Sequence, residues 1–256
     1  MAVIADDSKE RFSDRVADYV RARPSYPKAV YEFLRDELKL TPRSIIADVG
    51  SGTGISTRPL LENGNTVYAI EPNAAMRAAA EESLSKFAGF KSVDASAEKT
   101  TLADRSVDLV ICAQAFHWFD PALARKEFAR ILKPEGYAVL VWNERQLDST
   151  PFMRDYEKFL DTFGTDYRKT RHEIVTANIE MFFSPDGYSI RTFENRQTFD
   201  YPGLEARVLS SSYTPRADDP RRGPMLAELR RLFNLHIQAG DVSFEYDTRV
   251  YFGRLS

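Results

Sequence analysis

Two spacings of apolar residues alternate through the middle of the chain. Between Ser44 and Asn143, the runs SIIADV, TVYAIE, FKSV, VDLVICA and YAVLVW are short and nearly continuous in apolar residues, the pattern of strands covered on both faces of a parallel sheet. The segments between them carry helical spacing, so the order of elements is that of a doubly wound α/β sheet. Helix limits are marked by chemistry. Ser56 to Asn63 is helical, with Pro59 near the first turn, where amide hydrogens lack helical partners. Asn73 is an N-cap for AAMRAAAEESLSKF, Asp120-Pro121 supplies cap and first-turn proline for ALARKEFARIL, and LKPEGY turns the chain into the fifth strand.

The flanks are patterned differently. Ser8 to Val20 reads as a polar helix, RARPSYP as an extended crossing, and Pro27 as the opening of the helix KAVYEFLRDELKL. After the sheet, Phe152, Tyr156, Phe159, Leu160 and Phe163 fall on one helical face. Gly164 to Gly187 is less regular, and its Met181, Phe182 and Phe183 read either as core or as a lid over a pocket. Ser189 to Tyr201 alternates in part, and VSFEYDTRVYF alternates Val242, Phe244, Tyr246, Thr248, Val250 and Phe252 against mostly polar neighbours, which suits an antiparallel pair at one sheet edge. Between them LRRLFNLHI reads as a helix with Arg230 and Arg231 on its solvated side. The chain thus divides into residues 1–43, a core at 44–146, and the remaining strands with an insertion at 147–256.

Composition narrows the partners. A chain of 256 residues, 43% hydrophobic and 29% charged, can bury one full core. Its net charge of -3 and pI of about 5.8 give no field that would gather nucleic acid or anionic lipid, so small partners are expected. No apolar run approaches the roughly 20 residues of a membrane span, and MAVIADDSKE is too polar and acidic for a signal peptide, so the expected location is cytoplasmic. Cys112 is the only cysteine, which leaves no internal disulfide or cysteine-clustered metal site; within SVDLVICAQ it reads as a buried, inert thiol.

The densest chemistry is IADVGSGTGISTRPL. A glycine-rich turn between a strand and a helix lets a ligand approach bare backbone at a helix N-terminus. Here the spacing is Gly50-x-Gly52-x-Gly54, with Asp48 two residues ahead, which departs from the dinucleotide pattern. Glu71 ends the second strand 21 positions after Gly50, where a carboxylate can accept hydrogen bonds from both hydroxyls of a ribose.

With these features the sequence resembles the class I S-adenosylmethionine-dependent methyltransferases, especially the branch acting on small molecules. The likeness runs from about Arg11 to Arg145 and is carried by ADVGSGTG, AIEPNAAM, DASAE, AQAFHWFDP and RILKPEGYAVLVWNER. It implies a seven-stranded, mostly parallel Rossmann-like sheet with the last strand antiparallel and a helical cap or insertion. It also implies S-adenosyl-L-methionine as cofactor, with residues 1–43 covering it and 147–256 selecting the acceptor. On matching positions, Asp48, Gly50, Ser51, Gly52 and Gly54 would meet the methionine end. Glu71 would take the ribose, with Pro72 and Asn73 beside it, and Ala97 the adenine through its backbone, with Ser96 and Glu98 adjacent. Gln114 would lie near the sulfonium, and Tyr19 and Arg23 would close over the carboxylate.

A sulfonium methyl is already a strong electrophile, so the protein must chiefly align the acceptor and exclude water. His117, in AFHWFD, is the candidate base or a lining residue; His172 and His236 have no comparable setting. Tyr26, Phe116, Trp118, Trp142 and Asn143 are expected around the acceptor, at the strand ends where open α/β sheets build their sites. That pocket implies a partly apolar acceptor. The arginines of RVADYVRARP, with HWFD as in trans-aconitate methyltransferases, keep a small carboxylic acid in view. No Asn/Asp-Pro-Pro-Tyr or Pro-Cys stretch and no metal-ligand spacing appears, so a metal-free reaction is expected. The rivals are an NAD-dependent oxidoreductase, disfavoured by the glycine spacing and Asp48, and a cofactor-binding scaffold without turnover. The acceptor atom and the oligomeric state stay open.

Overall fold

A computed structural model describes residues 23–164, 173–211 and 213–255. Seven strands form one sheet: β1 (Ile45–Val49), β2 (Thr66–Ile70), β3 (Phe90–Val93), β4 (Val107–Ala113), β5 (Leu132–Arg145), β6 (Ser189–Phe199) and β7 (Val242–Gly253). Their order is β3-β2-β1-β4-β5-β7-β6. The pairs among β1 to β5 are parallel, while β7 runs antiparallel to both its neighbours. The expected fold is therefore the observed one, including the late antiparallel pair at one edge. Strand order reverses between β1 and β4, which makes the carboxyl ends of those two strands the crevice of the sheet.

The described residues include eight α-helices: α1 (Lys28–Asp36), α2 (Thr57–Glu62), α3 (Ala74–Leu84), α4 (Pro121–Ile131), α5 (Pro151–Phe163), α6 (Glu173–Phe183), α7 (Tyr201–Leu209) and α8 (Arg222–His236). The caps read from sequence are formed. Asn73 accepts from the N–H groups of Ala75 and Met76, and Asp120 from those of Ala122 and Leu123, with Pro121 opening α4. None of the described helices is long and apolar enough to cross a membrane.

Four readings change. LKPEGY, read as the turn before the fifth strand, is part of β5, which starts at Leu132 and shifts register against β4 between Val107 and Leu109. α1 stops at Asp36 instead of running to Leu40, because Lys39 turns left-handed at φ 60° and the Leu40 N–H donates back to the Leu34 carbonyl. The irregular stretch contains helix α6, whose Phe182 and Phe183 are fully buried, Phe182 against Phe116 and Phe128 and Phe183 against Phe182 and Tyr188; of the run Met181 to Phe183 only Met181 is exposed. These two rings are core, not lid. The strand read to Tyr201 ends at Phe199, where Asp200 caps α7 by accepting from the Gly203 N–H. The polar helix expected at 8–20 lies outside the described residues.

Burial falls into three clusters. Phe116, Phe128, Trp142, Phe182 and Phe183 pack one side of the sheet, and Leu34, Ile46, Leu60 and Ile111 the other. A third, made by α5, α7 and α8 over the far ends of β6 and β7, gathers Phe152, Tyr156, Phe199, Leu229, Phe244 and Tyr246. That cluster is the helical cap.

Candidate functional site

The turn after β1 is stitched to β2 through the Ile70 carbonyl, which accepts from the N–H groups of Gly50 (2.9 Å) and Ser51 (3.1 Å). All three glycines are left-handed, at φ 70°, 56° and 87°, a conformation only glycine adopts without strain. Their surroundings differ. A Cβ on Gly50 would stand 2.5 Å from the Ala115 Cβ, and one on Gly54 would collide with the tip of Leu84. One on Gly52 would meet nothing within 4 Å. Two of the glycines therefore serve packing, and Gly52 alone offers bare backbone to a ligand.

Around Gly52 the protein leaves polar atoms unmatched. Asp48 is fully buried; its Oδ2 accepts from Ser56 Oγ (2.7 Å) and Thr57 Oγ1 (2.6 Å), but its Oδ1 has no hydrogen-bond partner. Ser51 Oγ and Thr53 Oγ1 are likewise buried and unpartnered. Buried polar groups are rarely left so, because each costs about 1–3 kcal/mol. Burial pushes the Asp48 carboxyl up to about 6, against the lowering effect of the Thr57 and Ser56 hydroxyls, and the nearby Glu71 adds to the rise. Above that pH the site holds an ionised carboxylate with a free oxygen, a receptor for a cationic or donor-rich ligand.

Glu71 faces this turn. Its Oε2 accepts from the Gly52 N–H (3.0 Å) and its Oε1 from the Asn73 N–H (2.8 Å). A carboxylate has about four acceptor positions, and these two backbone bonds fix its orientation towards the turn. Pro72 beside it is exposed. Ala97 is buried in the sheet core, with Ser96 and Glu98 half-buried on either side; Glu98 Oε1 accepts from the Asp120 N–H at 3.1 Å.

At the end of β4, Gln114 takes a left-handed φ of 57°, unusual for its residue type and common at functional sites. Its Nε2 donates to the Asn143 carbonyl at 3.3 Å. The Asn143 side chain is fully engaged: Oδ1 accepts from Thr248 Oγ1 (2.5 Å) and Asn195 Nδ2 (3.1 Å), and Nδ2 donates to the Ser25 carbonyl (3.4 Å). Asn195 also donates to Ser25 (2.8 Å). Asn143 thus works as part of a clamp that fixes the segment carrying Arg23 and Tyr26 across the sheet end. Thr53, Asn195 and Thr248 escaped the sequence reading; the last two act through strand register, which leaves no local signature.

The acceptor candidates separate. Phe116 is fully buried and Trp142 is 6% exposed, edge-on to one another in the core, whereas Trp118 is 52% exposed. His117 lies between the last two, 4.6 Å from the Trp118 ring and 6.4 Å from that of Trp142. Desolvation on its inner side and the Arg23 charge lower the imidazole pKa to about 4. The ring keeps contact with solvent, which moderates the desolvation, but both causes act downward, so His117 is neutral at pH 7. Tyr19 lies outside the described residues. Cys112 is buried and its thiol pKa is raised by that burial, in keeping with an inert side chain. Among the described residues no group of three His, Cys, Asp or Glu side chains could hold a metal ion.

Comparison with known proteins agrees with this geometry. A methyltransferase-domain family model matches residues 47–140. An uncharacterized methyltransferase-like protein of Schizosaccharomyces pombe is 38% identical over 178 residues, 69% of this chain and 66% of that one. The malonyl-[acyl-carrier protein] O-methyltransferase of a Marinomonas species is 34% identical over 129 residues, 49% and 48% of the two chains. The matches to these two relatives thus span about half to just under two thirds of their lengths. A structure from Anaeromyxobacter dehalogenans, provisionally assigned as a type II methyltransferase, superposes with a TM-score of 0.67 at 22% identity, covering 91% of this chain and 98% of that one, which speaks for the fold. With its glycine turn, Glu71 and sheet order, this chain belongs to the class I S-adenosylmethionine-dependent methyltransferases.

Proposed function

We propose that the protein binds S-adenosyl-L-methionine and moves its methyl group to a small-molecule acceptor by direct in-line displacement, without a metal. The observation that carries this reading is the set of buried, unmatched polar atoms on Asp48, Ser51 and Thr53 around Gly52, the one glycine of the turn that faces open space, opposite Glu71. A ligand with an amino acid end and a ribose suits that arrangement: an ammonium for Asp48 and two hydroxyls for Glu71.

The cofactor would supply an electrophilic methyl. The work left to the chain is to hold and align. Gln114, fixed on the Asn143 carbonyl, lies at the β4 end of the crevice, where the methyl would face the acceptor. Arg23, held by the clamp at Ser25, would cover the cofactor carboxylate, with Tyr19 beside it. His117, neutral at pH 7, can accept a proton if the acceptor carries one, or can simply line the pocket. The single buried thiol and the modest negative charge support a cytoplasmic setting.

The test is thermal melting with S-adenosylhomocysteine, S-adenosylmethionine and NAD in parallel. A ligand at a hundred times its Kd stabilises by roughly 2.7 kcal/mol, and about 2–4 °C accompanies each kcal/mol at this size. The expected result is a rise of several degrees with both sulfur ligands, none with NAD, and its loss in Glu71→Ala. A rise with NAD alone would overturn the reading; cofactor binding without turnover across a broad acceptor panel would favour a scaffold.

A further inference from the structure

At the far end of the sheet, beyond the clamp, a further buried polar atom, the Tyr246 hydroxyl, is unmatched. Strand register sets Tyr246 of β7 opposite Arg145, the last residue of β5, and residues directly opposite in an antiparallel pair share a face. Tyr246 is 2% exposed and its hydroxyl has no hydrogen-bond partner. Guanidinium groups surround it. Arg207 of α7 has its Cζ 5.7 Å from the Tyr246 ring and 4.7 Å from that of Phe244. Arg145 lies over Tyr156 at 5.2 Å and pairs with Glu157 at 2.6 Å. Burial raises the pKa of the Tyr246 hydroxyl, while Arg207, Arg145 and Arg23 each pull it down. Arg23 also acts on His117, so this corner adjoins the tip of β4.

A buried phenol that donates to nothing, walled by aromatic rings and within the field of three arginines, is short of one partner: an anionic acceptor of hydrogen bonds. A neutral ligand could satisfy the hydroxyl but would gain less from the guanidiniums than an anion does. Arginine suits oxyanions through its planar set of donors.

We propose that the methyl acceptor is an anion, anchored through a carboxylate or related oxyanion that accepts a hydrogen bond from the Tyr246 hydroxyl beside Arg207 and Arg145. The proposal deepens the methyltransferase reading and rests on it. The anchoring oxyanion positions the acceptor; which atom takes the methyl is a separate matter. The rings of Phe244 and Tyr156 give the rest of the acceptor an apolar wall, which joins the partly apolar pocket to an acidic substrate.

The experiment is calorimetric titration of the protein, first with S-adenosylhomocysteine and then, once loaded, with benzoate, phenyl phosphate and benzamide. One or both anions should bind and benzamide should not; which anion binds tells a carboxylate anchor from a phosphate. Tyr246→Phe and Arg207→Gln should each weaken the anion by about tenfold or more, the loss of a charge-assisted hydrogen bond, with unchanged affinity for S-adenosylhomocysteine. Tyr246→Phe removes an unmatched buried hydroxyl, so it should melt no lower than the wild type, which keeps a loss of binding from being a loss of fold. Equal binding of benzamide, no binding of either anion, or unaltered anion binding in Tyr246→Phe would each overturn the proposal. If S-adenosylhomocysteine itself fails to bind, the methyltransferase reading fails, and the same anion titration on the unloaded protein judges the anchor alone.

Discussion

The turn from Asp48 to Gly54 and the cap over β6 and β7 are built on opposite principles. In the turn, neighbours in sequence are neighbours in space, and the backbone does most of the work. Three left-handed glycines bend it, Ile70 holds it, and the side chains of Asp48, Ser51 and Thr53 are left short of partners. In the cap, side chains from elements up to a hundred residues apart meet edge-on: Phe244 stands within 5.5 Å, ring centre to ring centre, of Phe152, Tyr156 and Phe199. The turn carries its unmatched polar atoms on a backbone-built loop at a cost to stability, whereas the cap sets its unmatched Tyr246 hydroxyl among aromatic rings whose burial supplies stability. The difference teaches where to expect function to trade against fold.

The strongest way to break that comparison is to empty the cap. Phe244 is fully buried, and Phe244→Ala should cost about 3–5 kcal/mol in urea unfolding, the range for large-to-small core changes. Below its melting point the variant should bind S-adenosylhomocysteine as the wild type does. If cofactor affinity falls with stability, the two regions are one unit and the contrast is wrong.

The glycines give a finer version, with the next largest effect. Gly50→Ala combines a left-handed alanine, about 1–2 kcal/mol, with overpacking against Ala115, which has no flexible end to move and adds about 1–3 kcal/mol. Gly54→Ala meets only the movable tip of Leu84 and should cost less. Gly52→Ala meets no neighbour, so its penalty should be near 1 kcal/mol in stability, yet it should lose the most cofactor affinity of the three. Chemical denaturation and S-adenosylhomocysteine titration of all three variants test whether the two rankings are reversed; parallel rankings would mean that Gly52 is another packing glycine.

How much of this was legible in the sequence follows from the same contrast. Asp48, Gly52 and Glu71 could be found because a strand, a tight turn and a strand end fix their spacing along the chain. The five core strands were legible for the same reason, since continuous apolar runs permit few alternatives. Helix α7 was missed, although Asp200 and Pro202 resemble the cap and first-turn proline of Asp120 and Pro121, because the alternation of the preceding strand carries through to Tyr201. Phe116 and Trp142 looked like pocket residues from their place beside His117, yet both turn into the core. An aromatic next to a site residue can point either way, and nothing local decides it. Asn143 was named from its strand end, but its clamp role, like the setting of Tyr246, depends on the register of β7 against β5, which sequence spacing does not encode.

The remaining prediction concerns charge, and its size is the smallest. Asp48 has its carboxyl raised from 3.8 to about 6, so the folded protein holds that proton more tightly than the unfolded chain. The associated stability is fully present below pH 3.8 and is lost as the pH rises through about 6. Two pH units correspond to at most about 3 kcal/mol, and relaxation of the surroundings should leave about 1–2. Asp48→Asn keeps an oxygen to accept from Ser56 and Thr57 and never ionises. At pH 7.5 it should therefore melt above the wild type without ligand, the gap should close towards pH 4, and its affinity for S-adenosylhomocysteine should drop. His117 shifts in the opposite sense: with a pKa lowered to about 4, it favours the folded state above 6.5 and withdraws that contribution as the pH falls. Its effect is common to both proteins, so the difference between their melting points at each pH isolates Asp48. A variant less stable than the wild type at pH 7.5, by a margin independent of pH, would mean that the carboxylate is satisfied without a ligand, and the unmatched oxygen would no longer mark a binding site.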